Sequence, residues 1–399
     1  MNSDLSFSTA NQFRLSFGRT QLGFEEVAGS PSIFSSPTNI TGPVGRISVL
    51  PFSSIGIDPF TFPQNRATNT FQVADTFAII KGRNSLKFGF DVRRVQFNSR
   101  LDRNYRSQLT FSPGLKLKLA ESTTNFVSGL FLAANGKPSD VQQSLALESD
   151  SRIGLRTTEL NLFLHSRVQL TPRLMVEIGG RYERNTVPRD ATGRVERGLQ
   201  IQPVDFGPID STDPAQGEFL KTFQAYQQVL GGRSGIYESD TDNFAIRTGF
   251  ALDLTGNGDF SLRGGYGLFY DILLGTVVSQ SRNVFPGFIP INVGIENPFN
   301  EQLPLNPAFI QIGDNRLVTQ GNTLGLPQDQ IVSGLGSLYF LQSFAIAFTL
   351  PEKNLQTPTV HQAGLTLERK FPGQIVASLA GVATWGRNLL RQRTPNGGT

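Results

Sequence analysis

Cysteine is absent from the 399 residues, which excludes disulfides, thiolate metal ligands and a cysteine nucleophile. Only two histidines occur, His165 and His361, and neither has a second histidine or a carboxylate at ligand spacing, so no metal site is expected. Charged residues make up 17%, below the roughly 25% of an ordinary soluble domain. Even so, no run reaches the ~18–20 uncharged apolar residues of a membrane helix. Disorder and helical membrane spans are both poor readings. The net charge of +4 rests on 28 Arg against 8 Lys, scattered with no basic tract, so nucleic acid is not an expected partner. Met1-Asn2-Ser3-Asp4-Leu5 lacks a charged segment followed by an apolar core, so no signal peptide is expected. No nucleophile elbow, P-loop or dinucleotide fingerprint occurs, and no enzymatic activity, catalytic residue or cofactor is expected.

What is present favours pleated structure. The 41 Gly, 23 Pro and 32 Phe suit strands and turns better than helix packing. Leu86, Phe88, Phe90 and Val92 alternate with Lys87, Gly89, Asp91 and Arg93, the pattern of a half-buried strand. Similar alternation runs through Leu160–Leu170 and Leu174–Tyr182, separated only by Thr171-Pro172-Arg173. Phe244–Leu252 and Phe260–Tyr270 flank Thr255-Gly256-Asn257-Gly258, and Asn-Gly is a strong hairpin signal. Ala363–Leu367 and Ile375–Trp385 are joined through Phe371-Pro372-Gly373. Weaker strands are expected near Gln12–Gly18, Thr70–Lys81, Asn104–Ser112 and Asp140–Glu148, making about eleven. Ser122–Ala134 has helical spacing of Phe126, Val127, Leu130 and Phe131 and could equally be irregular loop.

Connection lengths set the architecture. Four turns are short, whereas Gln21–Ala67, Pro113–Ser139, Pro188–Thr241 and Ile272–Leu355 are long and polar. Transmembrane β-barrels segregate short and long connections in this way, with an apolar outer band and a polar lumen. Such a strand climbs about 2.4 Å per residue along the membrane normal, so a band about 25 Å tall takes about ten residues. Tyr182, Tyr270 and Trp385 lie at that spacing beyond their turns on the apolar parity, as an aromatic girdle would. Arg93, Arg167, Arg181, Arg247 and Arg263 fall on the polar parity and are expected to face the lumen with Glu177, Glu183, Asp253 and Asp271. Asp253–Gly258 resembles the start of a calcium loop, but position twelve is Gly264, which favours a plain hairpin turn. Glu238, Asp240 and Asp242 could hold calcium in a loop or simply be solvated carboxylates.

Several stretches together resemble the TonB-dependent outer-membrane receptors, in particular the Oar-like type with a carboxypeptidase-regulatory-like domain. They are Asn69–Asp75, Leu86–Arg94, Thr171–Leu174 with Gly179–Glu183, Leu262–Asp271 and Gln362–Gly373. The resemblance covers the strands and almost none of the long loops. It implies an all-β, antiparallel transmembrane barrel in the cell outer membrane, in contact with lipid. It also implies binding of an unidentified solute at the extracellular loops, with uptake driven by the TonB complex pulling on a plug. Receptors of this type have 22 strands around a plug. Residues 1–399 supply about half that number and no recognisable plug, so the expectation is an incomplete barrel, either an internal portion of a longer receptor or the product of a truncated gene. Two other readings stay open: a smaller, self-closed passive pore, and a secreted all-β binding or adhesion module.

Overall fold

The computed structural model describes residues 1–25, 45–103, 108–113, 117–119, 122–124, 128–134, 138–146, 151–199, 224–272, 275–284, 288–294 and 349–391. Its main body is one antiparallel sheet of eleven strands. These are β1 (Asn2–Ser6), β2 (Thr9–Phe24), β5 (Gln64–Lys81), β6 (Asn84–Leu101), β11 (Ile153–Thr171), β12 (Leu174–Asn185), β13 (Arg189–Asp190), β14 (Phe244–Asp253), β15 (Phe260–Tyr270), β17 (Thr359–Phe371) and β18 (Ile375–Arg387). Sequence neighbours pair in the order β1-β2-β5-β6-β11-β12-β14-β15-β17-β18, with β13 against the upper end of β11. Among the described residues the sheet does not close: β1 covers only the start of β2, and β18 is paired on one side alone.

The two ends of the sheet differ as the connection lengths suggest. Tight turns follow β1, β5, β11, β14 and β17, all at one end. The β1–β2 turn has no strong sequence signal. Gly373 closes the last turn with φ of 78°, a left-handed conformation that glycine adopts without a Cβ penalty. Within the sheet, the Phe250 ring packs against Gly264, where any Cβ would stand 2.5 Å from the ring. There the strand gives up side-chain bulk so that an aromatic ring can cover its neighbour.

Two of the expected strands belong elsewhere. β7 (Gln108–Phe111) and β10 (Asp140–Ala146) are absent from the main sheet. They join β3 (Arg46–Val49), β4 (Ile55–Gly56) and β16 (Phe288–Gly294) in a five-stranded sheet ordered β16-β10-β7-β3-β4. Alternation gives a strand but not its partner, and both segments sit inside the long β6–β11 connection, clear of the tight-turn end. In the same connection β8 (Leu117–Leu119) pairs with β9 (Ser122–Thr124), and helix α1 covers only Gly129–Ala134. The helix expected over Ser122–Ala134 is therefore shorter. Its N-terminal turn is capped by Ser128, whose Oγ accepts from Phe131 N at 3.2 Å, and Leu132 is fully buried. Phe126 and Val127 lie outside the described residues.

The long connections also build a compact apolar core at the open end. Ile153 and Leu155 of β11 meet Val195 and Leu199 of helix α2 (Arg194–Leu199), together with Tyr226, Ile236, Val278 and Val284. Phe97, Val187, Leu230, Tyr237 and Leu350 pack around them. Buried Arg282 ties this cap to the wall, donating to the carbonyls of Ser99 and Ser151 at 3.2 and 2.9 Å and to Ser99 Oγ at 2.9 Å. Arg233 closes the neighbouring turn through Ile236 O at 2.6 Å and Val229 O at 2.7 Å. Because Ile236 has 0% exposure at the centre, Ile236→Ala should cost the cap about 2–5 kcal/mol. Limited proteolysis and hydrogen exchange should then show residues 224–240 opening while the amides of β11 and β12 stay protected.

Candidate functional site

Antiparallel register decides which side chains share a face, since residues directly opposite one another project to the same side. One face carries Gln72, Arg93, Glu159 and Asn185 in a single row across β5, β6, β11 and β12. The next row on that face holds Arg14, Ala74, Asp91, Asn161 and Glu183. Further rows add Phe163 with Arg181, His165 with Gly179 and Arg247, Arg167 with Glu177, and Met175 with Arg263. The cap core rests on this same face, because Leu155 is opposite Phe97 and Asp190.

Its charges are paired within the face. Arg93 Nε is 3.5 Å from Asp91 Oδ1, and its Nη1 is 3.8 Å from Glu159 Oε2. Gln72 Nε2 donates to Asp91 Oδ2 at 2.7 Å. Arg181 Nε lies 2.6 Å from Glu183 Oε1. Arg167 Nε donates to Glu177 Oε1 at 2.6 Å, and His165 Nε2 stands 3.5 Å from Glu177 Oε2. Arg263 reaches Glu368 at 3.8 Å. Arg247 has no acidic partner among the described residues; its guanidinium sits 4.5 Å over the Phe269 ring. Asp271 lies just beyond β15, with its backbone N–H bonded to Pro358 O and, among the described residues, no arginine brought to its carboxylate. Asp253 closes its turn locally, accepting from the N–H groups of Thr255, Gly256 and Gly258.

The opposite face is apolar. Phe90, Leu162, Tyr182 and Phe244 form one row, and Leu252, Leu262, Leu367 and Leu379 another. Tyr182 packs on Phe244 at 4.7 Å, and its hydroxyl donates to Thr241 O at 3.0 Å. The Tyr270 hydroxyl reaches Phe244 O at 3.3 Å. Trp385 stacks on His361 at 5.2 Å, and His361 Nδ1 is 2.7 Å from the Tyr266 hydroxyl. The part played by His361 and Phe244 was not picked out from the sequence, although both lie on the apolar parity that could have flagged them. Asp75 also lies on this face, opposite Phe90 and Phe13, and takes a 2.7 Å hydrogen bond from Asn11.

An outer-membrane profile, described as "Outer membrane beta barrel domain", matches residues 2–398. The chain belongs to this outer-membrane β-barrel family. It is an outer-membrane protein. No curated protein sequence matches it. Similar solved structures include the outer membrane transporter YddB from Escherichia coli, at 9% identity and TM-score 0.46, covering 96% of this chain and 32% of that one. The copper transporter OprC is similar at 10% identity and TM-score 0.37, over 96% of this chain and 36% of its own. The ferripyoverdine receptor of Pseudomonas aeruginosa is similar at 11% identity and TM-score 0.32, over 95% and 38%. The chain thus spans between 32% and 38% of the length of these three proteins.

No described group of three His, Cys, Asp or Glu side chains is placed to hold a metal ion. Asp240 instead accepts from Thr357 N at 2.8 Å, joining the β13–β14 connection to the β15–β17 connection. The parts of these loops that are described pack on each other in the cap core. Of the aromatic side chains in the Ile272–Leu355 connection that could pack on one another or grip a ligand, Phe285, Phe299, Phe309, Tyr339, Phe340 and Phe344 lie outside the described residues. At the base of the cap, burial pushes the Asp190 carboxyl up. The N–H groups of Gly154, Arg194 and Val195 and the Thr192 hydroxyl outweigh burial and hold it below the ordinary value of 3.8. A depressed folded-state pKa gives stability that is present above about pH 4 and lost as the pH falls through the folded value. Acidification below pH 4 should therefore loosen the cap, and Asp190→Asn should remove that component of the pH dependence, as read by proteolysis across pH 2–6.

Proposed function

We propose that this chain forms part of the wall of a TonB-dependent receptor of the Oar-like type, with the apolar face in lipid and the paired-charge face lining the lumen. The observation that supports this reading best is one sheet with two unlike faces and two open edges. Unpaired backbone in hydrocarbon costs several kcal/mol per group, so the β2 and β18 edges call for further strands. A 22-stranded barrel around a plug would supply them. Across the whole of 1–399 the chain then acts as one barrel portion.

The cap bears on the choice between receptor and passive pore. Its core packs on the paired-charge face at Phe97 and Leu155, away from the tight turns, which in this reading suits a ligand-gathering surface better than an open pore. Paired arginines and carboxylates keep the lumen wettable without leaving strong fixed charge to trap a passing solute. The solute meets the outer loops first and moves inward when the energy-coupling complex displaces the plug. No catalytic step is required.

Two measurements test this reading. In the full-length protein Leu379→Arg, on the exposed apolar face, should destabilise by roughly 2–4 kcal/mol, while Ser378→Arg on the opposite face beside Glu368 should be much milder. Equal penalties would remove the orientation. In cells, loss of TonB should abolish solute uptake and leave solute binding intact, whereas a passive pore would keep both. Deleting Asn292–Asp329 should reduce binding at unchanged surface expression if that loop recognises the solute.

A further inference from the structure

Three long connections meet at one corner of the cap. Phe60, Gln64 and Arg66 come from the end of the β2–β5 connection and the start of β5, Arg103 follows β6, and Gln280 and Ser281 belong to a single helical turn ahead of β16. Arg66 projects from the same face as Arg93 and the cap core, since it lies opposite Ser99 and Ser99 lies opposite Ile153. The turn is fixed at both ends. Arg103 Nη1 donates to Gln280 Oε1 at 3.1 Å, 177 positions away in sequence, and Arg282 donates to Ser99.

Neither Arg66 nor Arg103 has a carboxylate partner among the described residues. Arg66 Nη2 donates to Gln64 Oε1 at 2.7 Å, and the Arg103 guanidinium lies 4.2 Å from the centre of the Phe60 ring. The acids on the same segments are held elsewhere. Asp58 is 3.6 Å from Arg46 and accepts from the Thr61 hydroxyl at 2.8 Å, while Asp102 lies 2.6 Å from Arg100 and accepts from the Ser151 hydroxyl. By contrast Arg93, Arg167 and Arg181, on the same face, each have an acid of their own. Burial, and after it the charge of Arg66, holds the Arg103 guanidinium below its usual value. Two polar atoms at this corner, Arg103 Nε and Ser281 Oγ, are buried with no hydrogen-bond partner among the described residues, and Ser281 is only 2% exposed. Buried polar groups are nearly always matched, so two neighbouring like charges beside two unmet groups lack an anion.

We propose that this corner holds an anionic solute, whose carboxylate or phosphate oxygens accept from Arg66 and Arg103 while Phe60 backs the Arg103 guanidinium. The inference rests on the receptor reading above and gives its solute a charge. Arginine's planar fork binds either oxyanion through parallel hydrogen bonds, and an aromatic ring against its face keeps the fork in place. A neutral or cationic solute would leave the two like charges uncompensated.

Citrate and pyrophosphate serve as probes of the two oxyanion types, titrated by calorimetry into the full-length protein in micelles of an uncharged detergent. At least one of them is expected to bind at one site per chain, tenfold or more weakly in the double variant R66Q/R103Q and with unchanged affinity in R83Q at the tight-turn end. Gln280→Glu keeps both arginines and sets a carboxylate beside Arg103, so it should raise the melting temperature and also weaken the probe at least tenfold. Wild-type affinity in either of these two variants would overturn the proposal, as would failure of both probes to bind the wild type. The better probe tells a carboxylate solute from a phosphate one. Uptake of the bound probe that continues without TonB would remove the receptor reading and leave the site, whereas TonB-dependent uptake unchanged by either variant would do the reverse.

Discussion

The backbone ladder of the eleven-stranded sheet is the constraint on which the rest depends. In hydrocarbon a peptide group has no water to fall back on, so each N–H and C=O must find its partner on the next strand. Long uninterrupted pairing, such as β5 with β6 over eighteen residues of each, meets that demand. Once the ladder is set, side chains have no freedom of face. Shifting one strand by a residue would send Leu162 inward and Asn161 outward, exchanging the two environments everywhere along it. Register is therefore held by both faces at once.

Each face answers to a different solvent. On the polar face, arginines are matched with carboxylates a strand or two residues away, as Arg167 with Glu177 and Arg181 with Glu183. On the apolar face the exceptions are few and partnered. The Asn11–Asp75 hydrogen bond and the Tyr266–His361–Trp385 group each give a polar atom a neighbour of its own.

The long connections obey soluble-protein physics instead. Beyond the band, water returns, and the loops bury Ile236, Val195 and Tyr226 in a core of their own. Burial pushes the Tyr237 phenol up to about 12, so it stays neutral within the cap. Five short strands from three separate connections add a second sheet. The molecule thus joins a lipid-adapted wall to a water-adapted cap through β6 and β11, which extend past the band into both.

Strands with strict alternation were legible from sequence alone, because period-two patterning follows directly from pleating and needs no partner to be recognised. Leu86–Val92 and Leu160–Leu170 are such segments, and so are the faces of Arg93, Arg167 and Arg181. The tight turns at Thr171-Pro172-Arg173 and Thr255–Gly258 were legible for the same local reason. What pairs with what was not. Gln108–Phe111 and Asp140–Ala146 read as strands equally well, yet only the folded chain assigns them to the second sheet. The sequence could show that Arg156 and Arg189 are arginines in extended chain. That they stand opposite each other on one face of the sheet, 33 positions apart, depends on a register set by the hydrogen-bonded ladder, which is a property of the assembled sheet.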